Sequence, residues 1–120
     1  MTKQWIHAGG EYQVPFLTAA SKALRGDPGA CPKCKAPLRA YFHAFRAREG
    51  KGTLWVWCAA CRLHTHAPRV QPLVTFHDPF ASLSLEDFAR LESESDPSFF
   101  ERLEALWIAG GLQEVVAERQ

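Results

Sequence analysis

Cys31-Pro32-Lys33-Cys34 and Cys58-Ala59-Ala60-Cys61 are the two stretches that decide how this chain reads. Twenty-three residues separate them, and together they hold all 4 cysteines of the 120 residues. Two residues between cysteines let one tight turn aim both sulfurs at one point. Two such turns complete a tetrahedral shell of four thiolates, a donor set suited to zinc. All four positions of that shell are then taken by protein, which points to one structural Zn2+ ion and away from zinc catalysis. The gap is longer than the common C-x2-C-x15–20-C-x2-C spacing, and a long hairpin absorbs the excess. Two disulfides would use the same cysteines. The start, Met1-Thr2-Lys3-Gln4-Trp5, lacks the apolar run of a secretion signal, so a cytoplasmic, thiol-reducing setting is expected.

The segment 30–72 resembles a zinc ribbon. Cys31-Pro32-Lys33-Cys34-Lys35 is similar to that family's C-P-x-C-G turn, with Lys35 where glycine is usual. That position often takes a positive φ, which glycine adopts at lowest cost. The resemblance implies a small antiparallel sheet held by one zinc, used for binding protein or nucleic acid or for structure alone. A ribbon set between added helices is also similar in layout to small bacterial immunity and antitoxin-type proteins. That likeness implies a non-enzymatic protein that binds and regulates or neutralises another protein.

Alternation builds the ribbon around the cysteines. A strand is expected over 38–48, with Arg39, Tyr41, His43 and Phe45 on one face and Leu38, Ala40, Phe42, Ala44 and Arg46 on the other. Glu49-Gly50-Lys51-Gly52 reads as the hairpin turn. A second strand over 53–58 puts Thr53, Trp55 and Trp57 on one side. A third over 63–70 puts His64 and His66 on one side, and Pro68 demotes its end to an edge. The expected architecture is α+β: a three-stranded antiparallel ribbon with a short N-terminal helix and C-terminal helices packed on it.

Outside the ribbon, residues 1–29 read as a loose arm followed by a helix over 15–25, with Phe16, Ala19, Ala20, Ala23 and Leu24 as its apolar stripe. Val74-Thr75-Phe76 can add a short strand. Residues 73–120 are otherwise helical. Ser84-Leu85-Glu86-Asp87 signals one helix start. Asp96-Pro97 signals another, which Gly110-Gly111 ends. These three parts are expected to form one compact domain. No apolar run reaches the length of a membrane span.

Charge is uneven. Net charge is +1, yet residues 1–72 carry eleven Lys/Arg against three Asp/Glu, and residues 73–120 carry three against ten. Such asymmetry suits an anionic partner for the front half, or docking of one half on the other. Arg39, Tyr41, Arg46, Arg48, Trp55, Trp57, His64 and His66 form the candidate binding surface, since cations around aromatics are what single-stranded nucleic acid stacks on. The competing expectation is that Trp55 and Trp57 are core, because a sheet needs one buried face. Glu86, Asp87, Glu92, Glu94, Asp96, Glu101 and Glu104 sit mostly off the helical stripes and read as a solvated face, or as a cap on the basic ribbon.

Chemistry is sparse. No glycine-rich phosphate loop, G-x-S-x-G or H-E-x-x-H is present. His64-x-His66, with His77-Asp78 further on, is the one hint of a second metal or catalytic cluster. The expectation is therefore a non-enzymatic protein with a protein partner, with nucleic-acid binding as the alternative.

Overall fold

The computed structural model describes residues 5–46, 50–93, 99–112 and 115–116, with residues 46, 75, 115 and 116 described by backbone alone. The expected candidate Arg48 and the Asp96-Pro97 helix start lie outside the described residues. Chain order is β1 (Ile6–His7), α1 (Gln13–Ala23), β2 (Arg39–Arg46), β3 (Lys51–Cys58), β4 (Leu63–Val70), β5 (Thr75–Phe76), α2 (Leu85–Ser93), α3 (Phe99–Ile108) and β6 (Val115–Val116). A 3-10 turn, Gly10–Tyr12, leads into α1.

The class is α+β, but the sheet is four-stranded and mixed rather than three-stranded and antiparallel. Its order is β1-β4-β3-β2. β2, β3 and β4 form the expected antiparallel ribbon, with Tyr41 opposite Trp55 and Trp57 opposite His64. The fourth strand comes from the segment expected to be a loose arm. Ile6 and His7 run parallel to Leu63 and His64, fixed by Ile6 N–H to Arg62 O at 2.8 Å and Ala8 N–H to His64 O at 2.7 Å. Two residues carry no readable alternation, so periodicity had nothing to detect. The short strand expected near 74–76 exists as β5 and pairs with β6.

Alternation along the strands feeds two cores, one on each face of the sheet. α1 lays Phe16, Ala19, Ala20 and Ala23 against Ala40, Phe42, Leu54, Val56, Cys58 and Leu63. The other face presents Tyr41, Trp55 and Trp57, which are covered by Phe88 of α2 and by Phe99 and Leu103 of α3. Both faces of β3 are thus buried. Its residues 54–58 are all sequestered, as a central strand between two helical layers requires.

Gly52 belongs to β3 rather than to the turn, opposite Ala44 at a bulge. A Cβ there would lie 1.9 Å from the His43 carbonyl oxygen, so only glycine lets the two backbones approach. Gly50, at φ 68°, supplies the positive φ expected of the turn.

Candidate metal centre

The two C-x-x-C turns are built alike. In the first, Lys35 N–H donates to the Cys31 carbonyl at 2.9 Å, and Lys33 N–H points to Cys31 Sγ at 3.4 Å. In the second, Arg62 N–H donates to the Cys58 carbonyl at 2.9 Å, and Cys61 N–H points to Cys58 Sγ at 3.4 Å. Each turn ends on a left-handed residue directly after its second cysteine: Lys35 at φ 69° and Arg62 at φ 62°. The ribbon brings the turns together, because Cys31 N–H bonds the Ala36 carbonyl just before β2 and Cys58 closes β3.

All four Sγ atoms lie within 4.8 Å of one another. Cys31 and Cys61 are 3.9 Å apart at sulfur, Cys34 and Cys58 3.4 Å, and all four are free thiols. Cys31, Cys34, Cys58 and Cys61 can therefore hold one metal ion between them. Cys31 and Cys58 are fully buried, and Cys34 is exposed.

Without a cation the cluster divides its protons unevenly. The Ala36 backbone N–H, helped by the Cys61 thiol, pulls Cys34 down to about 7. Burial pushes Cys58 up, and loss of hydration together with the neighbouring sulfurs pushes Cys61 up to about 12. Several thiolates side by side repel. A bound cation reverses that balance and takes all the sulfurs deprotonated.

Three of the candidate binding residues are internal. Tyr41, Trp55 and Trp57 are 1%, 4% and 0% exposed. The acidic helix covers them with specific pairings. Glu104 accepts from Trp57 Nε1 at 2.9 Å and pairs with Arg39. Three residues earlier, Glu101 accepts from Trp5 Nε1 at 2.9 Å and pairs with Arg62, whose guanidinium lies 4.7 Å from the Trp5 ring centre. Glu101 and Glu104 are thus docking groups rather than part of a solvated face. Glu86 and Asp87 do face solvent. His64 stacks on Phe100 at 4.1 Å, and His66 is exposed. Arg46 is the last residue of β2.

One polar array was not visible in the pattern. Asp78 accepts from Tyr41 OH at 2.6 Å, from the Phe80 backbone N–H at 2.9 Å, and from His43 Nδ1 at 2.7 Å. The His43 ring stacks flat on Phe88, 3.7 Å between centres. Asp78 thereby ties the linker after β5 to the sheet. Its carboxylate also raises the Tyr41 phenol, which burial already pushes well above its ordinary range. His77-Asp78 stood out in the sequence, but its partners lie 35 and 37 positions away, beyond any local signal. No helix among the described residues is long and apolar enough to cross a membrane. No family model matches the chain, and no curated protein or solved structure is significantly similar to it.

Proposed function

We propose that this chain is a zinc-stapled, non-enzymatic module that acts by binding another protein. The single observation carrying this reading is the closed cluster of four cysteine sulfurs. Thiolates at about 2.3 Å from a tetrahedral zinc sit about 3.8 Å from one another. The Cys31–Cys61 separation of 3.9 Å matches that shell, the Cys34–Cys58 separation of 3.4 Å is tighter, and all four sulfurs lie within 4.8 Å of one another. With four thiolates bound, no coordination position remains for a substrate. Cys31, Cys34, Cys58 and Cys61 would hold the ion, and its contribution would be folding free energy.

Burial of Tyr41, Trp55 and Trp57 beneath the chain's own acidic helices supports a protein partner over nucleic acid. Bases cannot stack on Tyr41, Trp55 or Trp57 while α3 is docked. Arg39 and Arg62 are neutralised by glutamates. The α1 face away from the sheet offers Val14 and Leu17, 69% and 45% exposed and one turn apart, as an apolar contact. A regulating or neutralising role of the immunity or antitoxin kind is the form of protein binding this layout favours.

The test is a pair of experiments on the full chain. Labelled single- and double-stranded oligonucleotides titrated with the zinc-loaded protein should give flat anisotropy at micromolar concentration. A specific partner recovered by quantitative cross-linking in cells should be lost from a Val14→Glu/Leu17→Glu variant that remains folded. Tight, salt-steep oligonucleotide binding, or a partner retained by the double variant, would overturn the reading.

A further inference from the structure

His43 is a buried polar side chain with only one of its two nitrogens engaged. Asp78 and Tyr41 hold Nδ1, at 2.7 and 3.3 Å, and the Phe88 ring lies flat on the imidazole. A carboxylate at Nδ1 fixes the neutral ring as the Nδ1–H tautomer, which leaves a lone pair on Nε2 at the far side. Nε2 has no hydrogen-bond partner among the described residues. It is not sealed inside the protein either, as His64 Nδ1 is. The residue as a whole is only 6% exposed, so a narrow opening reaches that nitrogen.

The opening is a cavity of about 160 Å³ between the sheet and α2, bordered by His43, Thr53, Trp55, Phe88, Ala89 and Glu92. A cavity of about 150 Å³ takes one benzene molecule, so this one admits a group of that size. Thr53 stands opposite His43 across the β2–β3 pair. Glu92 is exposed, and no ion pair among the described residues uses its carboxylate. The polar wall is therefore rich in acceptors. Nε2 and the carboxylate accept, and the Thr53 hydroxyl does either. Trp55 and Phe88 add aromatic surface, which attracts cations. Such a lining turns away anions and suits a flat group that donates N–H bonds and carries positive charge.

We propose that this cavity binds a small planar organic cation of the amidine or guanidine class, with its N–H groups on His43 Nε2 and the Glu92 carboxylate. Planar cations of this class present their donors as a fork, which matches carboxylate geometry. Asp78 is a positioning residue here, since it holds the imidazole in the tautomer that accepts at the cavity. The site uses neither the cysteine cluster nor the Val14 and Leu17 surface, because α1 packs on the opposite face of the sheet. Its test therefore stands apart from that of the protein-binding reading.

Benzamidine is the probe. The full zinc-loaded chain is titrated with it, and with benzyl alcohol and benzoate as the neutral and anionic counterparts. Trp55 fluorescence should report saturable benzamidine binding, at least tenfold tighter than benzyl alcohol, with no binding of benzoate. Tenfold is the scale of one charge-assisted hydrogen bond. In nitrogen-15 spectra, His43 Nε2 should shift on saturation while the imidazole nitrogens of His7 and His77 stay in place. Two variants at exposed rim positions spare the buried array. Glu92→Gln should weaken binding at least tenfold, and Ala89→Phe should block it, both with unchanged near-UV circular dichroism. Absence of saturable benzamidine binding, benzoate bound as well as benzamidine, unmoved His43 nitrogens, or either folded variant binding as the wild type does would each overturn the proposal.

Discussion

Trp57 Nε1 donates to Glu104 Oε1 across 2.9 Å, joining the centre of the sheet to the acidic helix α3. The indole is fully buried, and this acceptor satisfies a donor that would be costly to leave unpaired. The same carboxylate neutralises Arg39. Glu104→Ala should destabilise the fold by about 2–3 kcal/mol, since it orphans a buried N–H and an arginine together. Glu104→Gln keeps an acceptor and should cost about half as much. Urea unfolding followed by tryptophan fluorescence measures both.

The Asp78 array should behave as a unit. Asp78→Ala removes the acceptor shared by Tyr41, His43 and Phe80, and a loss of about 3 kcal/mol is expected. Tyr41→Phe should cost about 1 kcal/mol alone and almost nothing in the Asp78→Ala background. A double-mutant cycle reads the difference, and additive losses would show that the array is not coupled.

Stability should fall in alkali for a specific reason. The Tyr41 phenol is raised in the folded state, so the native protein keeps a proton that the unfolded chain releases near its ordinary value of 10.0. A raised group contributes fully below that value and loses its contribution as pH climbs past it. The zinc-loaded wild type should therefore lose stability above about pH 10. Tyr41→Phe should flatten that limb in unfolding curves taken between pH 8 and 11, a range chosen to straddle the ordinary tyrosine value of about 10.

Lys35 and Arg62 hold matching left-handed positions after the two knuckles, yet glycine should help at only one of them. Lys35 is exposed, and Lys35→Gly should stabilise by about 1 kcal/mol through relief of the αL strain. Arg62→Gly relieves similar strain but gives up the Glu101 pair and the Trp5 stack, so a net loss is expected. Thermal unfolding of the two variants side by side shows the contrast.

Close backbone approach makes Gly52 hard to replace. Gly52→Ala drives a methyl into the His43 carbonyl and the Ala44 backbone, and should cost about 3 kcal/mol or shift the bulge. Unfolding midpoints in guanidinium report the loss.

What could be read from the residues follows what is local. The paired C-x-x-C motifs, the alternation of Tyr41, Trp55 and Trp57 against Leu54 and Val56, and the Ser84 cap, whose Oγ accepts from Asp87 N–H at 3.1 Å, are all short-range signals. They were enough to place the ribbon, α1 and α2. The left-handed Lys35 was foreshadowed by its place after Cys34. What escaped is long-range. β1 is two residues long, and only the edge of β4 makes it a strand. For Glu101 and Glu104 the residues leave open a solvated face or a cap on the basic half, because a helical pattern cannot reveal that arginines and indoles lie opposite.

The proposed zinc staple is tested most directly at the cysteine cluster, by metal analysis and metal removal. The expected result is one zinc per chain in an all-sulfur shell by X-ray absorption. Its extraction by a strong chelator should collapse the near-UV signal of Trp57 and its neighbours, and Cys34→Ser and Cys61→Ser should hold zinc far more weakly. A chain that keeps its tertiary signal after complete zinc removal, or cysteine variants that retain the metal unchanged, would contradict the claim that four thiolates and one zinc hold this fold together.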